Sequence, residues 1–260
     1  MLYLVSDIHG NRKVFDEVLN KVNFNANDHL YILGDIIDRH PYGIHLLLRI
    51  MNMKNVTMLL GNHELMMLNA LGYQYADEKI PEDALYIWYQ NGGIVTKKVF
   101  DALNENTQNR VINYLKSLPL NIDLTVNDKK IKLVHAAPIN IYEADETFKE
   151  VNETPLEFAV WDRSLLVVLP DIEGTDIVVL GHTITYNYER KGDSYMIPRE
   201  LISVNGVTKY IDIDTGSGFP DKGYRGFYGE RLLGCVTCVQ INDDASFTYY
   251  QSCQDIILEK

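Results

Sequence analysis

Five times along this chain an apolar, strand-like run ends directly in an aspartate, histidine or asparagine. The clusters are Ser6-Asp7-Ile8-His9-Gly10, Gly34-Asp35-Ile36-Ile37-Asp38-Arg39, Gly61-Asn62-His63-Glu64, His135-Ala136-Ala137 and Gly181-His182-Thr183. Around the first three the periodicity alternates. Strand-like runs at 2–6, 28–33 and 55–60 are each followed by a helical pattern. Asn11 is expected to cap the first helix, whose apolar face is Val14, Phe15, Val18, Leu19 and Val22. Pro41 is expected to open the second, reaching about Met51, and the third covers Leu65–Leu71. This order predicts a parallel sheet with right-handed crossovers, and in such sheets functional groups gather beyond the carboxyl ends of the strands.

From about 72 to 118 the chain reads as a helical insertion on one side of the sheet. Pro81-Glu82-Asp83 starts one helix, Asn91-Gly92-Gly93 breaks it, and further helices are expected near 94–104 and 107–117. The second half reads as β-rich, with strands at 120–126, 130–135, 176–180, 195–204, 209–213, 232–241 and 246–251. Asn127-Asp128 marks a tight turn between the first two. Without repeats or a flexible linker, the expectation is one domain over 1–260, built from two face-to-face sheets with helices outside.

The totals restrict function. A 260-residue chain can bury a sizeable core. Its 46% hydrophobic and 23% charged residues are ordinary for a globular protein. No apolar run approaches the roughly 20 residues of a membrane span. Met1-Leu2-Tyr3-Leu4-Val5 lacks a basic leader, so a cytoplasmic location and no membrane partner are expected. The net charge of −12 repels long polyanions, which argues against nucleic acid as a partner. Among the cysteines Cys235, Cys238 and Cys253, the Cys235-x-x-Cys238 spacing invites a zinc reading. A strand would point the two thiols to opposite faces, so buried structural cysteines are expected.

The polar clusters fit a pair of divalent cations. Such pairs, about 3.5–4 Å apart, serve phosphoryl hydrolysis and need a bridging carboxylate with N and O ligands. Asp7 and His9 share one short loop, Asp35 can bridge, and Asn62, His135 and His182 can complete the second metal. A single Asp-x-His or a lone strand-end histidine is more often structural, but five coincident clusters are hard to obtain by chance. His29, His40 and His45 look ordinary, the first two in loops and the third in a helix.

At this point the series Asp-x-His, Gly-Asp-x-x-Asp-Arg, Gly-Asn-His-Glu, His and Gly-His-Thr resembles the calcineurin-like metallophosphoesterase superfamily. More narrowly it resembles the bacterial members of the PPP-type serine/threonine protein phosphatases. Ile213-Asp214-Thr215-Gly216 and Trp88-Tyr89-Gln90-Asn91-Gly92-Gly93 match the same subgroup. The resemblance implies a four-layer α/β/β/α sandwich with a helical insertion, and two metal ions, manganese first with iron or zinc as alternatives. It implies that Asp7, His9 and Asp35 hold one metal, and Asp35, Asn62, His135 and His182 the other. A hydroxide bridging the metals would attack phosphorus in line, and His63 would be the general acid. Asp38 would orient His63 and keep its proton, while Arg39 and Arg163 would clamp phosphate oxygens with a fork that lysine lacks. Asp214 would support the site or serve only its turn. The loop Tyr224-Arg225-Gly226-Phe227-Tyr228-Gly229 is expected to border the substrate.

The sequence departs from the family pattern in places. Ile184 stands where many members carry a further histidine ligand, as in the protein-phosphatase subgroup. His40 replaces the glycine that usually follows Asp-Arg, and Ala136-Ala137 stand where eukaryotic relatives tend to carry glycines. The implied activity is hydrolysis of phosphomonoesters, chiefly phosphoserine and phosphothreonine in proteins. The closest rival is a symmetrical diadenosine-tetraphosphate hydrolase, whose members typically lack an aspartate at the position of Asp38. A catalytically silent scaffold is disfavoured because every ligand and the general acid are retained, and a nucleic-acid phosphodiesterase because of the charge.

Overall fold

A computed structural model describes residues 1–185, 196–218, 224–225, 231–232 and 234–252. Three turns of the strand–helix alternation open the fold. β1 (Leu2–Val5), β2 (His29–Ile32) and β3 (Val56–Met58) are separated by α1 (Arg12–Lys21) and α2 (Gly43–Ile50), and α3 (Asn62–Ala70) follows β3. β1 pairs in parallel with β2, and β2 with β3. α4 (Ala84–Gln90), α5 (Ile94–Asp101) and α6 (Glu105–Lys116) come next. β4 (Asn121–Val126) and β5 (Lys129–Val134) form a hairpin through Asn127 and Asp128, both at positive φ, as a primed turn requires.

A 3-10 segment (Ile139–Ala144) then leads to α7 (Glu146–Val151), α8 (Pro155–Trp161) and α9 (Leu165–Val168). These were not anticipated in the β-rich half. The strands β6 (Ile177–Leu180), β7 (Arg199–Ile202), β8 (Lys209–Asp212), β9 (Tyr224–Arg225), β10 (Arg231–Leu232), β11 (Thr237–Ile241) and β12 (Phe247–Gln251) complete the described elements. One sheet runs β12-β11-β1-β2-β3 and the other β4-β5-β6-β8-β7, with β9-β10 a separate pair. In the second sheet β5, β6 and β8 are parallel, as β1, β2 and β3 are in the first.

Side-chain alternation divides the core into layers. Leu4, Val239, Ile131, Leu133, Val179 and Ile211 meet between the sheets. Tyr3, Val5 and Ile32 turn outward to Phe15, Val18 and Leu47 of the first helices. On the far side, Val178, Leu180 and Tyr210 pack against Phe148, Phe158 and Leu165. Two mixed sheets flanked by helices give the expected α/β/β/α order.

Several local expectations need correction. Asn11 occupies the N-cap position of α1 but makes no capping bond; its amide donates to the Ser217 carbonyl at 3.2 Å instead. α2 starts at Gly43, two residues after Pro41, and α3 starts at Asn62 and not Leu65. His29 lies in β2, where its Nε2 meets the Thr57 hydroxyl at 2.9 Å. The continuous strand expected over 232–241 is divided, with Cys235 making an isolated bridge to Gly216 before β11 begins. Residues 195 and 233, within expected strands, and 226–229, within the expected substrate loop, lie outside the described residues. Cys235 and Cys238 are buried, as expected, and Cys253 lies outside the described residues.

Candidate metal centre

The loops after β1, β2, β3, β5 and β6 converge at one edge of the two sheets, and they bend sharply to do so. Asp7, His9, Asp35, Asp38, Arg39 and His182 all adopt positive φ, between 49° and 72°. Left-handed backbone costs a non-glycine residue about 1–3 kcal/mol and persists only where the surroundings enforce it. Here interlocking bonds do so: the His9 N–H donates to the Asp35 carbonyl at 2.9 Å, and the His182 N–H to Asp7 Oδ2 at 2.9 Å.

The histidines are oriented by backbone carbonyls. His9 Nδ1 donates to Ile37 O at 3.1 Å, His135 Nδ1 to Leu33 O at 2.6 Å, and His182 Nε2 to Trp161 O at 3.1 Å. A carbonyl only accepts, so each bond fixes the orientation of its ring and turns the other nitrogen toward the centre, the pattern typical of metal-binding histidines. The second nitrogens of these rings point inward. His9 Nε2 lies 3.6 Å from Asp35 Oδ2 and 3.9 Å from Asp7 Oδ1. His135 Nε2 and His182 Nδ1 both face Asn62 Oδ1, at 3.0 and 3.1 Å, and His135 Nε2 is 3.6 Å from Asp35 Oδ1.

Two buried triads of convergent donors result, His9–Asp35–His63 and Asp35–His135–His182, and Asp35 is common to both. Their N and O donors and one shared carboxylate fit a pair of borderline or hard divalent cations. Electrostatics agrees. Burial, reinforced by Arg39 and His63, lowers His9 well below its ordinary range, and burial with His135 and Arg163 does the same for His182. Burial also pushes the Asp35 carboxyl well above its ordinary value, a cost that nearby cations would offset.

His63 differs from the other three. Its Nδ1 donates to a carboxylate, Asp38 Oδ2, at 2.7 Å, and its Nε2 faces Arg39 Nη2 at 3.2 Å. Arg39 is exposed and borders an open cavity of about 560 Å³ shared with His40, Gln90, Asn91, Ile184 and Gly218. Arg163, also exposed, donates through Nη1 to His182 O and Thr183 Oγ1 at 3.1 and 3.2 Å. Thus Arg39 stands at the His9 side and Arg163 at the His182 side. The Asp214 carboxylate accepts from Gly216 N at 2.9 Å, so it stabilises its own turn behind the site.

Sequence reading gave Glu64 no role, yet its carboxylate receives the N–H groups of Asp35, Ile36, Ile37 and Gly61 at 2.8–3.3 Å. Burial pushes this carboxyl up to about 7, against the pull of those donors. It binds the β2 loop to the first turn of α3. The signal was a buried-looking acid three residues after a glycine at a helix start, the spacing of a capping box.

The model of the calcineurin-like phosphoesterase family matches residues 2–210. Serine/threonine-protein phosphatase 2 of Escherichia coli (strain K12) is 29% identical over 235 residues, covering 87% of this chain and 91% of that protein. A symmetrical bis(5'-nucleosyl)-tetraphosphatase of Wigglesworthia glossinidia brevipalpis is 35% identical over 140 residues, which is 53% of this chain and 44% of that protein. Among solved structures, a metallophosphoesterase from Sphaerobacter thermophilus superposes with a TM-score of 0.52 at 17% identity, covering 96% of this chain and 87% of that one. That likeness is one of fold. No helix among the described residues is long and apolar enough to cross a membrane.

Proposed function

The chain belongs to the calcineurin-like phosphoesterase family and is a metal-dependent phosphoester hydrolase, and from that premise we propose that it removes phosphate from phosphoserine and phosphothreonine in proteins. The observation that carries this reading is the buried contact of Asp38 with His63 at 2.7 Å. A serine alkoxide is a poor leaving group and needs a proton in the transition state, and an imidazole held by a carboxylate is built to supply one. A phosphate leaving group needs such help far less. The extent of similarity to the E. coli phosphatase, over most of both chains, supports the same choice.

In this reading Asp7, His9 and Asp35 hold one cation, and Asp35, Asn62, His135 and His182 the other, with manganese the proposed metal and iron or zinc the alternatives. Bound there, the cations supply Lewis acidity toward phosphoryl oxygens and acidify water at neutral pH. The chain supplies the rest. Arg39 and Arg163 bind the non-bridging oxygens, and the Arg39 guanidinium leaves the His63 ring for the phosphate when substrate fills the cavity. With Arg39 gone from the ring, His63 takes a proton from water at Nε2 and gives it to the leaving oxygen, while its Nδ1–H stays bonded to Asp38.

The second reading, a symmetrical tetraphosphatase, draws on the 35% identity to such an enzyme across half the chain. The test removes metal, restores Mn²⁺, and compares a phosphoserine peptide with diadenosine tetraphosphate, using His63→Asn as control. Manganese-dependent peptide turnover, reduced about 10²–10⁴-fold in the mutant, is expected. Preferred release of adenosine diphosphate would overturn the protein-phosphatase reading.

A further inference from the structure

The Asp38–Arg39 segment is an awkward piece of backbone, two consecutive non-glycine residues at φ 72° and 63°. Helices α4 and α5 grip it from one side. The Trp88 indole N–H donates to Asp38 Oδ2 at 2.9 Å, the same oxygen that receives His63 Nδ1–H at 2.7 Å. Thr96 Oγ1 accepts the Asp38 N–H at 2.9 Å, and the Gly92 carbonyl accepts the Arg39 N–H at 3.2 Å. Gly93 lies flat on the indole, where an added Cβ would come within 2.5 Å of its ring. Trp88 and Asp38 are both wholly buried.

We propose that Trp88 and Thr96 are positioning residues for the Asp38–His63 pair, so that the α4–α5 segment sets the delivery of a proton to the leaving group. The inference rests on the reading of His63 as general acid. Its physical basis is the asymmetry of the Asp38 carboxylate. Oδ1 has no hydrogen-bond partner among the described residues. Among hydrogen bonds, the two donors on Oδ2 are what check rotation of the carboxylate. An indole N–H neither titrates nor accepts, so it holds that oxygen in one direction at every pH where the protein is folded. Without it, the carboxylate can swing about its Cβ–Cγ bond and the imidazole loses its bearing, while the donors around Asp35 are left in place.

A plain core role for Trp88 makes a different forecast, because lost packing would weaken all turnover alike. The discriminating measurement is leaving-group dependence. In Trp88→Phe, kcat on a phosphoserine peptide should fall by about 10-fold or more, whereas p-nitrophenyl phosphate, whose leaving group needs little protonation, should lose less than about 3-fold. Thr96→Val, close in shape, should shift the ratio in the same direction and guards against a Trp88 variant that fails to fold. A readout independent of turnover is available because the chain has two tryptophans. The Trp88 indole N–H resonance, identified by its loss in Trp88→Phe, should exchange slowly and move in Asp38→Asn. Equal loss on both substrates in Trp88→Phe and Thr96→Val, with His63→Asn still selective for the poor leaving group, would overturn this inference alone. An unselective His63→Asn would overturn the general-acid reading and this inference with it.

Discussion

The carboxylate of Glu64 accepts the backbone N–H of Asp35 at 2.8 Å. The residue common to both donor triads is thus anchored from behind by the helix that also supplies Asn62 and His63. The relationship is reciprocal, since the His63 N–H donates to Asp35 Oδ1 at 3.0 Å. Strand β2 and helix α3 are stitched together at the point where the cations would sit.

Replacing Glu64 by Gln should therefore weaken metal binding without touching a proposed ligand. The amide keeps one acceptor oxygen but turns an N–H₂ group toward backbone donors, leaving some of the four buried N–H groups unpaired. Stability should fall by about 1–3 kcal/mol, read from the urea midpoint. Mn²⁺ affinity should drop about 10–100-fold by calorimetric titration. Unchanged affinity would mean that the β2 loop keeps its shape unaided.

Gly61→Ala should be more damaging than its size suggests. A Cβ at Gly61 would overlap Asp35 Oδ1 and come within 2.5 Å of the Asp35 nitrogen and 2.8 Å of Glu64 Oε2. The strand end and helix start must separate to admit it. A shift of this kind typically costs about 10²-fold in turnover. Steady-state kinetics with a far-ultraviolet spectrum like that of the parent would confirm a local cause, and near-parental kcat would contradict it.

Away from the site, Asp171 ties the loop before β6 to the loop after β7. It accepts from the Ser203 hydroxyl, Asn205 Nδ2 and Val207 N, and these bonds, Ser203 first, hold its carboxyl below the ordinary carboxylate range. A depressed folded-state pKa contributes stability that is fully present above the unfolded value, about 3.9, and is lost as pH falls through the folded one. Asp171→Asn should accordingly lower the melting temperature at pH 6, and the gap from the parent should narrow toward pH 3. A gap independent of pH would refute the assignment.

Burial pushes the Cys238 thiol upward, and Cys235 is equally enclosed. In a Cys253→Ser protein, neither should react with a disulfide reagent at pH 8 until denaturant is added, since a buried thiol offers no accessible thiolate. Rapid labelling of the native protein would place at least one of them in contact with solvent.

How much of this was legible beforehand follows the range over which each signal acts. The strand-end clusters were legible because apolar run and polar terminus are adjacent in sequence, and the first sheet followed from local alternation. The start of α3 was misread, since Asn62, His63 and Glu64 look like a loop when their partners on β2 are unknown. The helices between 139 and 168 went unseen because each is short, although Thr154-Pro155-Leu156-Glu157 carried a legible start. Thr154 does accept from Glu157 N, with Pro155 in the first helical position. The bond from Trp88 to Asp38 spans 50 residues, and no local pattern announces it.

The bond from His182 N to Asp7 Oδ2 joins residues 175 positions apart, and this has a consequence for the order of events during synthesis. Asp7, His9, Asp35 and Asn62 leave the ribosome long before His135 and His182 exist. Contacts of such separation form slowly because loop closure must come first. If these residues hold the cations as proposed, the nascent chain would present only part of the chelate until the second sheet forms.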